Sequence, residues 1–128
     1  MANVNIIDYV TIASVGNASD FGDLTITIGY RAGTSNGTRG IIGGGWGKDE
    51  IEYFTISSLG NATDFGDLSV ARSPGSDCAD CNGTRACFGP GSEDNDVIDY
   101  VTVASLGNAT DFGDTTVGAY RRGACSGD

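Results

Sequence analysis

Three stretches of nineteen residues recur almost unchanged along this chain: IDYVTIASVGNASDFGDLT from Ile7, IEYFTISSLGNATDFGDLS from Ile51 and IDYVTVASLGNATDFGDTT from Ile98. Their starts lie 44 and 47 residues apart, so one supersecondary unit is written three times, over about 7–50, 51–97 and 98–128. A period in this range belongs to propeller blades and stacked arrays, in which each unit buries its apolar face on the next. A catalytic centre is normally one asymmetric cluster, whereas here every distinctive side chain is repeated. The repeat therefore points to a scaffold or a binding surface and away from an enzyme.

The local pattern is that of strands. In the opening segment Ile7, Tyr9 and Thr11 face one way and Val10 and Ile12 the other; Ile51 and Tyr53 stand against Phe54 and Ile56, and Ile98 and Tyr100 against Val101 and Val103. Apolar groups on both faces predict a sheet covered on both sides. Each strand runs into SxGNA[ST]DFGD, which reads as a turn. Gly16, Gly60 and Gly107 supply a permissive backbone there, and the Asn and Asp side chains bond their own backbone. A second strand is expected next, carried by Leu24, Ile26 and Ile28 in the first copy and by Leu68 and Val70 in the second. A further element occurs twice, as TRGIIGGGW over Thr38–Trp46 and TRACFGPG over Thr84–Gly91. An Ile-rich strand ending in glycines suits a place where sheets crowd together and a Cβ would collide.

These features predict one all-β domain over 1–128, built of three tandem antiparallel repeats of the propeller-blade type. The alternative is a closed three-sheet domain of β-prism or β-trefoil kind. A propeller typically needs four to eight blades. Three blades would leave apolar flanks and unpaired edges exposed. By register, a third copy of the glycine-rich strand would begin just past residue 128, so two chains exchanging a strand at each seam would make a six-bladed ring.

Composition narrows the function. The chain has 21 Gly, 2 Pro and a net charge of −10. Nucleic acid is excluded as a partner, because phosphate binding needs clustered Lys and Arg. No histidine is present, which removes Ser-His-Asp and Cys-His catalysis and every His-based metal site. No stretch is long and apolar enough to span a membrane, and MANVN has no signal-peptide character, so export by the general secretory route is not expected.

TRGIIGGG, the strand with Tyr53 and the closing LSVAR of Leu68–Arg72 follow the order of a kelch repeat. Together with GNATDFGDLxVAR and IDYVTIA, they resemble the kelch-like tandem-repeat structural proteins of marine bacteriophages, over nearly the whole chain. The resemblance implies a non-enzymatic virion component, made in the host cytoplasm. It would be a fibre, decoration or adaptor protein that contacts copies of itself and other virion proteins. The alternative is a lectin-like carbohydrate-binding module that presents one turn site per repeat to a host-surface glycan.

Candidate sites stand beside plainer readings. Asp20 and Asp23, Asp64 and Asp67, and Asp111 and Asp114 are oxygen-rich pairs that could collect Ca²⁺ ligands, or simply cap turn amides. Cys78, Cys81, Cys87 and Cys125 could hold Zn²⁺, form disulfides, or remain free thiols in loops. No other cofactor is implied. The sequons at Asn17, Asn36, Asn61, Asn82 and Asn108 read as turn residues. Trp46 could stack on a sugar or seal an interface, and burial against the next sheet is expected of it.

Overall fold

The computed structural model describes residues 3–72, 79–119 and 122–126. Among them the chain is all-β and contains no helix. Ten strands run in order: β1 (Ile6–Tyr9), β2 (Ser19–Asp23), β3 (Ala32–Ser35), β4 (Arg39–Gly43), β5 (Lys48–Thr55), β6 (Thr63–Arg72), β7 (Ala79–Cys81), β8 (Arg85–Phe88), β9 (Val97–Thr102) and β10 (Thr110–Asp114). They form a two-stranded sheet, β1-β2, and two four-stranded meanders, β3-β4-β5-β6 and β7-β8-β9-β10. All pairing is antiparallel. The described strands close neither a barrel nor a propeller ring.

The two glycine-ended segments behave as expected, becoming β4 and β8, each beside the opening strand of the next repeat. Crowding explains the glycines. A Cβ on Gly40 would sit 2.3 Å from the Phe54 ring, and one on Gly43 would sit 2.9 Å from the Phe88 ring of the other meander. The core lies between the two meanders, where Ile41, Ile51, Phe65, Leu68, Phe88, Val101 and Val103 are buried. Burying a large apolar side chain contributes about 1.5–3 kcal/mol, so this cluster dominates the stability.

Two sequence expectations are corrected. DFGD is not part of the turn: it lies in β2, β6 and β10, and the pairing register shifts beside its glycine. In β2 and β6 the Phe is buried and the Asp before it exposed, the side-chain alternation of a half-buried strand. Leu24–Ile28 is not a strand either, although Leu68–Arg72 continues β6. Two strands escaped notice, β3 (AGTS) and β7 (ADC), being short and nearly free of large apolar residues.

The three copies share their local packing. The rings of Tyr9 and Phe21, Tyr53 and Phe65, and Tyr100 and Phe112 meet edge to face at 6.1, 5.9 and 6.0 Å. Arg39 lies 4.8 Å over Tyr53 and Arg85 lies 4.6 Å over Tyr100, again at matching places. Burial differs: Phe21 is 8% exposed and Phe65 2%, against 57% for Phe112.

Candidate assembly interface

Each opening strand carries an acid after its first isoleucine: Asp8, Glu52 and Asp99. Glu52 and Asp99 are 1% and 0% exposed, which demands partners, since an unpaired buried carboxylate costs several kcal/mol. In both cases the preceding repeat supplies them. Ser69 donates to Asp99 from its backbone N–H at 3.1 Å and from its hydroxyl at 2.6 Å, and Arg72 donates to the same carboxylate at 2.7 Å. Thr25, which holds the place of Ser69 in the first repeat, donates to Glu52 from its N–H at 2.7 Å and from its hydroxyl. Arg31 completes that site with an ion pair to Glu52.

The two arginines come from different places. Arg72 ends β6 and also reaches the Val97 carbonyl at 3.3 Å. Arg31 precedes β3 and also donates to the carbonyls of Gly44 and Glu50, each at 3.1 Å. The acid and the hydroxyl keep fixed positions, and the guanidinium is recruited from whichever neighbouring segment can deliver it.

A second band of contacts joins β2 to the turn of the next repeat. Gly60 N–H donates to the Phe21 carbonyl at 2.9 Å and Ala62 N–H to the Asp23 carbonyl at 2.8 Å; Asp23 N–H donates to Asn61 Oδ1 at 3.0 Å. The next joint repeats this almost to the tenth of an ångström. Gly107 donates to Phe65 at 2.9 Å, Ala109 to Asp67 at 2.7 Å, and Asp67 to Asn108 Oδ1 at 3.1 Å. The approach is too close for a side chain: a Cβ on Gly22 would lie 2.3 Å from the Gly60 oxygen, and one on Gly66 2.4 Å from the Gly107 oxygen.

The sequon asparagines therefore divide. Asn36 and Asn82 accept within their own turns, from Thr38 and Arg39 and from Thr84 and Arg85, and Asn36 also donates to the Gly83 carbonyl at 3.4 Å. Asn61 and Asn108 instead hold the preceding repeat, which corrects the expectation that they bond their own backbone.

The other sequence candidates are dispersed. Among the described residues no group of three or more His, Cys, Asp or Glu side chains is arranged to hold a metal. Asp20 and Asp23 lie on β2, Asp64 and Asp67 on β6, and Asp111 and Asp114 on β10. Burial, and then the nearby carboxylates of Asp49, Asp64 and Glu50, raise the pKa of Asp67. Cys81 and Cys87 sit on the paired strands β7 and β8 rather than in loops, Cys125 is exposed, and all three are free thiols. Cys78 lies outside the described residues. Burial pushes the Cys87 thiol up, helped by Cys81 and Asp80 and opposed by Arg85.

Trp46 is 58% exposed, contrary to expectation, because Gly44, Gly45 and Gly47 all take positive φ and swing it off the end of β4. Its indole meets the ring of exposed Tyr30 edge to face at 5.6 Å. A shallow groove between the first hairpin and the second sheet is lined by Ile7, Tyr9, Phe21, Phe54 and Ile56. The residues that sequence reasoning missed are the buried clamps themselves: Glu52 with Thr25 and Arg31, and Asp99 with Ser69 and Arg72. The available signal was an acid in the middle of an apolar strand, kept in all three copies. No protein-family model matches the chain, and no curated protein is similar to it at a significant level.

Proposed function

We propose that this protein is a non-enzymatic structural repeat protein of a bacteriophage particle, a fibre, decoration or adaptor component of blade-like units. The observation that carries this reading is the joint. The same acid–hydroxyl–arginine clamp and the same asparagine-to-backbone band occur at both junctions between repeats. The acids Glu52 and Asp99 and the asparagines Asn61 and Asn108 are thus all engaged in holding units together. Its partners would be further copies of the chain and other virion proteins. Mass spectrometry of purified particles from the source culture tests the assignment. Recovery of the chain in many copies per particle is expected, and its absence from washed particles would overturn the virion role.

A lectin-like module is the second reading, favoured by one observation: Tyr30 and Trp46, 53% and 58% exposed, form an aromatic pair open to solvent. Such a pair can stack on a sugar ring. A glycan array read with and without Ca²⁺ distinguishes the two readings. Binding abolished by Trp46→Ala would favour the module.

A further inference from the structure

We infer that a second copy of this chain docks head to tail, the first repeat of one copy seating on the third repeat of another through the joint that links repeats within a chain. The inference rests on the proposed assembly role and names its partner and its contacts.

Both halves of the joint are present on the surface. On the leading face, Asp8, Val10 and Ala18 are exposed, whereas at the inner joints Glu52, Asp99, Ala62 and Val101 are buried; Asn17 holds the place of Asn61 and Asn108, which accept from the preceding repeat. On the trailing face, Phe112 is 57% exposed where Phe21 and Phe65 are covered by the repeat that follows them. A Cβ on Gly113 meets nothing within 4 Å, although the same test at Gly22 and Gly66 strikes the next repeat at once. Thr116 holds the place of Thr25 and Ser69, which donate to the inner carboxylates.

The two faces are complementary by construction, because inner copies of each already fit one another twice in this chain. Docked in the same way, Asp8 would accept from the N–H and hydroxyl of Thr116, and Asn17 from the N–H of Asp114. Phe112 would be covered as Phe65 is. A cation is also on hand. Arg122 donates to the Val117 carbonyl beside Thr116, and its buried Nε has no hydrogen-bond partner. The leading and trailing faces differ, so the contact is heterologous and builds rings or filaments rather than two-fold dimers.

Sedimentation velocity on the purified chain over a wide concentration range tests this without any other virion protein. The wild type is expected to gain mass in steps of one protomer. Val10→Asp spoils the leading face and Phe112→Asp the trailing face; both residues are exposed, so far-UV CD should show an unchanged fold. Each variant alone should stay monomeric, and an equimolar mixture should form dimers and stop there. Asn17→Ala and Thr116→Ala provide milder versions, each expected to weaken association about tenfold. A wild type that remains monomeric at every concentration would overturn the inference, as would variants that assemble normally or a mixture that does not pair. Because the particle measurement is separate, a monomeric chain found in virions would sink this inference and leave the structural role intact.

Discussion

Arg72 and Asp99 meet at 2.7 Å with both side chains fully buried, and they belong to different repeats. The pair joins the last residue of β6 to the third residue of β9 across the core. A buried ion pair adds little net stability compared with an apolar pair of the same size, but it penalises any arrangement that leaves either charge alone. Here that penalty selects the register between repeats whose sequences are otherwise nearly interchangeable. The hydroxyl and N–H of Ser69 take up lone pairs of the same carboxylate, so the clamp is closed on both sides.

Breaking the clamp on one side should be costly. Asp99→Ala is expected to destabilise the chain by about 3–5 kcal/mol, because it removes the buried carboxylate that pairs with Arg72. Asp8→Ala removes the equivalent exposed carboxylate and should change monomer stability by less than about 0.5 kcal/mol. Urea denaturation followed by tryptophan fluorescence and far-UV CD measures both. Equal losses in the two variants would show that the inner carboxylate is not held as described.

The joint glycines should be intolerant in a position-dependent way. Gly66→Ala places a Cβ 2.4 Å from the Gly107 oxygen, so the two repeats must separate. Overpacking of this kind costs about 1–3 kcal/mol, in addition to the strain of a side chain at φ 144°. Gly113→Ala carries similar backbone strain at φ 141° but meets no neighbour. The difference between the two melting temperatures isolates the contact, and Gly66→Ala should melt lower.

How much of this was legible beforehand depends on what each residue touches. The strands containing Tyr53 and Tyr100 announced themselves by alternation, and the glycines of β4 by the need for close approach. β3 and β7 did not, since AGTS and ADC carry no apolar period of their own and are ordered by pairing with β4 and β8. Asn61 and Asn108 looked like turn residues because Asn near Gly usually is one. Their partners lie 38 and 41 residues away, and no local pattern reports that. Trp46 was misjudged for a related reason: three glycines hid a reversal that turns the indole outward. The acids Glu52 and Asp99 were visible in every copy, but only the long-range position of Arg31 and Arg72 shows that they are buried.

Glu50 and Lys48 give the sheet a pH dependence that can be assigned to single residues. Burial alone would raise the Glu50 carboxyl. Its backbone N–H bond and the Lys48 ammonium at 3.2 Å outweigh that and hold it below the ordinary value of 4.5. A lowered folded pKa means that the carboxylate stabilises the fold above pH 4.5, and that this contribution is lost as pH falls through the folded value. Lys48→Met should raise the Glu50 titration midpoint, seen by carbon-detected NMR of the side-chain carboxyl. It should lower stability at neutral pH and leave it unchanged at a pH where Glu50 is protonated. A midpoint that does not move would show that the ammonium plays no part.

Thiol chemistry should rank the described cysteines by environment. The thiolate is the nucleophile, so a raised pKa slows alkylation at a fixed pH. Cys87 combines a raised pKa with partial burial on β8, whereas Cys125 is exposed. Limited iodoacetamide treatment of the native chain, read by peptide mass spectrometry, should label Cys125 well before Cys87. Raising the pH by one unit should speed Cys87 close to tenfold, because a thiol titrating above the working range gains thiolate in proportion to hydroxide. After urea unfolding the two rates should converge, since burial supplies the main part of the Cys87 shift. Rates that already agree in the native protein would mean that β8 does not shield its thiol.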